Sequence, residues 1–450
     1  MIPPKPQPRA DRVSLLQYAR LFRRDILSAQ PARLYRAWMA EFRTPFFRSF
    51  LVNQPDLVDT VLKARPDDFP KSDRIGAGLR PLLGESVFLT NGETWKRQRR
   101  IIDPAFEGGR LRETFPAMWQ AALSAEARLR DRAGGVVEIE EIASHAAADV
   151  IFRTLFSIPI EDAVASAVFH EFRAYQRSQP ILNLAAFIPG PRWMPRLFRR
   201  DTRAAARRIR ALITGLTEQR MRAIDAGTAP DDLATKIMTT RDPVTGQTFS
   251  TEEMVDQVAI FFLAGHETSA SALGWALYLL ACAPDWQARV AAEGAGLTGE
   301  FGDLSNLRAT RDVFRETLRL YPPVPMMVRE AACPETFRDR AVPRGSQIVL
   351  SPWHLHRHER IWDMPDAFDP ARWQTDEGRR CGREAFMPFS AGPRVCTGAG
   401  FAMAEGVLLL ALLLRNLRVD LVAGREPVPQ AHLTVRAKDG IWLRVTARDA

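Results

Sequence analysis

Apolar residues recur every three to four positions over residues 113–132, 203–226 and 306–320, the spacing that lays one buried stripe along an α-helix. Short runs rich in β-branched and aromatic residues at 46–52, 136–139, 347–350 and 441–445 read as strands. They are few, and they do not alternate with helices as a parallel-sheet fold requires. The chain is therefore predicted to be mainly α with a small β-rich part. One helix dominates the pattern. Ser250 followed by Glu253 makes a capping box, and apolar sequence then continues until Pro284 stops it. Roughly 33 residues at about 1.5 Å each give a rod ~50 Å long. Such a rod must be buried, so polar residues at its centre need a reason.

With 450 residues and 46% hydrophobic content, the chain can bury a large core. No flexible linker, low-complexity tract or repeat interrupts it. Residues 13–450 are expected to form one domain behind a proline-rich, extended and poorly packed arm at 1–12. Met1 leads into prolines, so no signal peptide is expected. Residues 401–414 are apolar but short of the ~20 needed to span a membrane, and they carry Glu405. A core helix and a soluble, cytoplasmic protein are expected. The net charge of +9 is spread along the chain. Nucleic-acid binders gather such charge into a stripe or tail, so that partner is not expected. A solvated basic surface is the plainer account, and a docking face for an acidic protein is the next. The four cysteines form no C-x-x-C pair and no disulfide framework. Cys282, Cys333 and Cys381 read as small hydrophobes.

Cys396 is different. It sits in Phe389-Ser-Ala-Gly-Pro-Arg-Val-Cys-Thr-Gly398, followed by Ala-Gly-Phe-Ala-Met-Ala-Glu405. This is a turn-rich loop feeding an apolar helix. Gly392 and Gly398 allow positive φ and let the backbone approach a flat ligand. A cysteine at a helix N-terminus is favoured as thiolate, and Arg394 could pair with an anion beside it. The pattern Phe-x-x-Gly-x-Arg-x-Cys-x-Gly resembles the haem-binding loop of the cytochrome P450 family, with every defining position filled. The resemblance implies that fold, a b-type haem, and Cys396 as the iron ligand.

Three further constellations fit the resemblance. Ala264-Gly-His-Glu-Thr-Ser269 stands in the middle of the long helix. Thr268 can bond back to the carbonyl of Ala264 and loosen the helix, while Glu267 and Thr268 make an acid–alcohol pair suited to relaying protons to bound dioxygen. Glu316 and Arg319 share a helix face, and with Arg372 they match the family's structural Glu–Arg–Arg cluster. Ala371 and Trp373 depart from the residues usual around that last arginine. Trp95 and Arg99 lie four apart on one helical face; with Arg329 and Arg394 they match the family's haem-propionate contacts.

The resemblance implies a monooxygenase that inserts one atom of dioxygen into a substrate. A haem-thiolate isomerase or peroxygenase is the alternative on the same fold, but neither needs the Glu267–Thr268 pair. A non-catalytic haem sensor or carrier is the alternative from another class. No flavin, nicotinamide or iron–sulfur segment is visible, so electrons must come from elsewhere; the resemblance to soluble members of the family implies an acidic ferredoxin with its reductase. Lys96, Arg97, Arg100, Arg379, Arg380 and Arg383 are candidates for the docking face. Gln257, Phe261, Ala264 and Thr268 form one stripe toward the expected substrate pocket. Ile75, Leu79, Phe88, Val324, Met326, Met327 and Leu433 match the family's substrate-contact segments by position. That lining is apolar and suits a fatty acid, terpenoid or carotenoid-like lipid. Residues 181–197 read as a proline-broken hydrophobic loop over the entrance, with peripheral membrane contact as a second reading. His354-Leu-His-Arg-His358 alternates as some metal sites do, but no ligand cluster accompanies it. Polar turn residues are the better account.

Overall fold

A computed structural model describes residues 1–43, 47–178, 200–431 and 433–448. The loop expected at 181–197 and the start of the strand expected at 46 lie outside the described residues, as does the Ile75 side chain. The chain forms two compact units. The first is Met1–Phe69, Ala122–Ala146 and Thr268–Ala450; the second is Pro70–Ala121 and Ala147–Glu267.

The first unit holds the strands. β1 (Met39–Arg43), β2 (Arg48–Val52), β3 (Met327–Glu330) and β4 (Gln347–Leu350) form one sheet in the order β1-β2-β4-β3. β2 and β4 run parallel, with Phe50 opposite Ile348 and Val52 opposite Leu350. These four side chains are fully buried and pack in one core with Phe69, Phe337, Trp362 and Trp373. A second sheet places Trp442–Ala447 between Val136–Glu138 and Leu417–Leu421. The N-terminal arm is extended and most of its residues are exposed, as expected, yet it docks at several points. Pro3 and Pro6 are buried, the Phe368 amide donates to Met1 O at 2.9 Å, and the Tyr321 hydroxyl donates to Pro4 O at 2.7 Å. Extended backbone presents its carbonyls outward, so a proline-rich arm needs only donors on its neighbour to dock.

Four helices carry most of the candidate residues. They are α1 (Gly92–Ile102), α2 (Thr251–Ala281), α3 (Arg308–Leu320) and α4 (Ala399–Arg415). α1 belongs to the second unit, α3 and α4 to the first, and the division between units falls within α2 after Glu267. The capping box of α2 forms as read from sequence. The Glu253 amide donates to Ser250 Oγ at 3.2 Å, and the Ser250 amide returns a bond to Glu253 Oε2 at 2.9 Å. Pro284 opens the next helix, Pro284–Ala295. In the first unit α2 is anchored by Trp275, stacked on Tyr321 with ring centroids 4.0 Å apart. α4 is buried continuously from Ala404 to Leu414, the core helix expected. No helix among the described residues is long and apolar enough to cross a membrane.

Candidate active site

In the first unit, the loop before α4 is closed by its own backbone. The Cys396 amide donates to Phe389 O at 2.9 Å, and the Val395 amide donates to Gly392 O at 3.0 Å. Gly392 takes φ +69°, and a Cβ there would lie 1.9 Å from the Leu62 carbonyl oxygen. That glycine is required by packing against the protein itself. Gly398 does not use that freedom; it caps α4 at φ −87°. Nothing lies within 4 Å of a Cβ built at Gly398 or Gly400, so this stretch borders open space. Cys396 lies just before the cap, exposed, beside the part-exposed Val395.

Arg329 on β3, in the same unit, gives a chemical test of what this unit could hold. Its side chain is 4% exposed, yet its one side-chain bond among the described residues is a weak contact with the neighbouring Val328 carbonyl at 3.4 Å. No carboxylate pairs with it among the described residues, and burial pulls its pKa down to about 10. A buried guanidinium without a counter-ion is costly, and a bound anion would relieve it. A haem propionate is such an anion, so the residues present fit the group.

The Glu316–Arg319–Arg372 cluster forms as expected. Glu316 and Arg319 are both fully buried. Arg319 Nε and Nη2 reach the two Glu316 carboxylate oxygens at 2.9 and 2.8 Å, and Arg372 Nε reaches Oε1 at 2.9 Å. Burial alone would raise the Glu316 pKa. The two guanidinium groups and the Asp369 amide more than offset it and hold the carboxyl below its usual range. Arg319 also donates to the carbonyls of His356, Pro365 and Ala367. Ala371 is exposed, while Trp373 packs beneath the Arg315 guanidinium at 4.1 Å.

The three histidines fall where a short helix, Pro352–Leu355, runs into a turn, as expected, but they are buried and engaged separately. His354 Nδ1 meets Ser351 Oγ at 2.8 Å, His356 bridges Arg319 and Met387, and His358 stacks on Trp38 at 4.3 Å. No group of metal-ligating side chains is present among the described residues. Sequence reasoning also left Glu405 without a role. It is buried on α4, takes a bond from Ser269 Oγ at 2.9 Å, and leaves Oε1 without a partner among the described residues. Burial pushes its pKa up to about 8, against a smaller opposing effect of Ser269. Val324, Met326 and Met327 are half-buried, Arg394 likewise, and Leu433 is exposed.

In the second unit, Trp95 and Arg99 share a face of α1 as expected, with the guanidinium 5.9 Å over the indole ring. Arg99 also pairs with Asp103 at 2.8 Å. In this unit the α2 stripe opens only toward its end. Phe261 is half-buried and Ala264 is exposed, although the residues flanking Ala264 on the helix are largely buried. A Cβ on Gly265 would come 2.8 Å from Ile151 Cδ1, so the missing side chain there lets another helix approach. Gln257 does not line open space; it is fully buried, and its Oε1 accepts from the Val87 amide at 2.9 Å. Glu267 is buried. Its charge adds to burial in raising the pKa of Tyr175, a neighbour that nothing in the sequence pointed to. Leu79 is buried, and Phe88 is part-exposed beneath Lys71 at 4.0 Å.

The basic candidates for docking are largely committed elsewhere. Lys96 pairs with Glu93, Arg97 with Glu253 and Arg100 with Asp242; in the first unit Arg379 pairs with Asp376 and Arg380 with Glu377 and Glu384. Arg383 is the member of the set that faces solvent without a carboxylate partner among the described residues.

The sequence profile of the family described as Cytochrome P450 matches residues 14–443. The chain is similar to a cyclooctat-9-en-7-ol 5-monooxygenase of Streptomyces melanosporofaciens, 32% identical over 86% of this chain and 83% of that one. It is similar also to a cytokinin hydroxylase of Arabidopsis thaliana, 29% identical over 81% of this chain and 72% of that one. The crystal structure of the cytochrome P450DA haem domain superposes with a TM-score of 0.81 at 24% identity, covering 100% of this chain and 99% of that one; this likeness speaks for the fold. The chain belongs to the cytochrome P450 family, and it is a monooxygenase.

Proposed function

We propose that Cys396 ligates the iron of a b-type haem, and that residues 13–450 act as one domain hydroxylating or epoxidising an apolar small molecule. The observation that supports it most is the buried Arg329 guanidinium, without a carboxylate among the described residues, in the same unit as the exposed Cys396. Arg329, Arg394, Trp95 and Arg99 would serve the two propionates, the last three on their motif match. Bound there, haem supplies reductive activation of dioxygen, with a thiolate ligand favouring O–O cleavage. The Glu267 carboxyl and the Thr268 hydroxyl hold and pass the protons this requires. The exposed Ala264 leaves room beside them. The apolar side chains of Leu79, Phe88, Phe261, Val324, Met326, Met327 and Leu433 receive the substrate. A fatty acid, terpenoid or carotenoid-like lipid suits that lining, and the relative named for cyclooctat-9-en-7-ol adds an unsaturated alcohol to the same range. Electrons come from an acidic ferredoxin with its reductase, in the cytoplasm, and Arg383 is a contact for it.

The test is spectroscopic. The ferrous–CO complex of the purified protein should show the strongly red-shifted Soret band of thiolate ligation. Cys396→Ser should abolish it, while Cys282→Ser, Cys333→Ser and Cys381→Ser should leave it unchanged. A band that survives Cys396→Ser would overturn the assignment.

A further inference from the structure

A continuous set of bonds links the buried ion-pair cluster of the first unit to the cysteine loop, and one histidine joins the two. His356 is fully buried. Its backbone carbonyl accepts from Arg319 Nη1 at 2.9 Å, and its Nδ1 lies 3.3 Å from the Arg319 carbonyl oxygen, so the two residues hold each other reciprocally. On the far edge of the ring, Nε2 lies 2.9 Å from the amide nitrogen of Met387. A backbone amide can only donate and a backbone carbonyl can only accept. Nε2 is therefore the unprotonated nitrogen, and Nδ1 carries the hydrogen. The environment agrees with a neutral ring. Burial, and after it the nearby Arg319 charge, pulls the imidazole pKa down to about 3.

Met387 is the residue from which the cysteine loop departs. The Ser390 amide donates to Met387 O at 3.1 Å, and the Cys396 amide donates to Phe389 O at 2.9 Å. The backbone that receives the Cys396 N–H thus begins at an amide held by His356. Arg319, at the other end, is fixed by Glu316. We propose that His356 is a positioning residue for Cys396: through its bond to the Met387 amide it fixes where the loop starts, and so where the sulfur stands. This inference rests on Cys396 being the haem ligand. Its substance is the Nε2 contact, as distinct from the volume the ring fills beside Phe386, 5.3 Å away between centroids.

Two amide side chains separate the contacts. Glutamine places its terminal oxygen near the position of Nε2, whereas asparagine places its polar atoms near Nδ1. The wild-type holoenzyme must first show the red-shifted ferrous–CO band; if it does not, the haem-thiolate reading fails and not this inference. With the band present, the conversion of the CO complex to the thiolate-free form is timed in mild denaturant. His356→Gln should convert at nearly the wild-type rate. His356→Asn and His356→Leu should convert about tenfold faster, the scale of one lost buried hydrogen bond. If His356→Asn is as slow as His356→Gln, or if all three are equally fast, the Met387 bond does not position the thiolate. A measurement on the unaltered protein stands independently of whether any variant folds. In the diamagnetic CO complex, the ¹⁵N shifts of His356 should report a protonated Nδ1 and a bare, hydrogen-bonded Nε2. A protonated Nε2 would overturn the proposal outright.

Discussion

Replacing Arg329 with methionine should stabilise the haem-free protein and weaken its hold on haem, two effects of opposite sign from one side chain. Burial lowers the guanidinium pKa from its much higher unfolded value to about 10 in the folded protein. A base with a depressed folded pKa is penalised wherever it is charged in both states, which here means everywhere below pH 10. Relief comes only as pH rises above 10. At pH 7 the full cost applies, and at about 1.36 kcal/mol per pKa unit it comes to about 3 kcal/mol. Methionine fills similar volume without a charge, so most of that cost should vanish. At about 2.1 cal/mol/K per residue, a chain of this length unfolds with an entropy of about 1 kcal/mol/K, and the thermal midpoint should rise by about 3 °C. In the haem-loaded protein the same guanidinium would hold a propionate. A charged hydrogen bond of about 2 kcal/mol corresponds to roughly 30-fold faster haem loss once it is gone. The assay pairs thermal unfolding of haem-stripped protein with transfer of haem to an excess of apomyoglobin. A lower midpoint in the stripped variant, or an unchanged rate of haem transfer, would refute the reasoning and make Arg329 a structural residue.

Two other perturbations test the buried acids and the hydroxyl of α2. Thr268→Val keeps the shape and removes the proton-carrying group, so haem content and ligand affinity should persist while product per electron pair falls at least about tenfold, with hydrogen peroxide in its place. Equal coupling in both proteins would mean that the hydroxyl is structural. Glu405 has its folded pKa at about 8 against 4.5 unfolded. As pH rises from 4.5 to 8 the unfolded chain loses a proton that the folded one keeps, and stability falls by up to about 4 kcal/mol across that window. Glu405→Gln should remove this slope. The variant's thermal midpoint relative to wild type should thus be higher at pH 8.5 than at pH 5, and an equal difference at both pH values would discount the buried proton.

Features set by neighbours in sequence were legible before the fold was known. The capping box of α2 needs only Ser250 and Glu253, and both of its bonds form. The mutual orientation of Glu316 and Arg319 follows from a three-residue step on a helix, and they meet as expected. β1 left no such trace, because Met-Ala-Glu-Phe-Arg is short and only Ala40 in it is buried. Residue type shows that Gly392 and Gly398 allow positive φ, but not which of them uses it; Gly392 does and Gly398 does not. The Leu62 carbonyl that excludes a Cβ at Gly392 is likewise invisible in sequence.

Arginine shows most clearly where pattern reading stops. Arg97 and Arg100 look like free surface cations from their place on α1. Their partners, Glu253 and Asp242, are 156 and 142 residues away in sequence and reach them only in the folded chain. Arg319 and Arg372 share a single carboxylate. Arg329 has none among the described residues; the family match singled it out, but periodicity and charge alone could not show that it is buried and unmet. An arginine's charge is the same in every case; what differs is whether the fold supplies a carboxylate to meet it. Where it does, as for Arg97 and Arg100, the guanidinium is spent on the fold, and its reversal to glutamate would set two acids side by side before it affected any docking partner. Where it does not, and the group is buried, the unmet charge is a demand on something outside the chain. That asymmetry is why Arg329 carries more of the functional reading than the more conspicuous basic residues of α1.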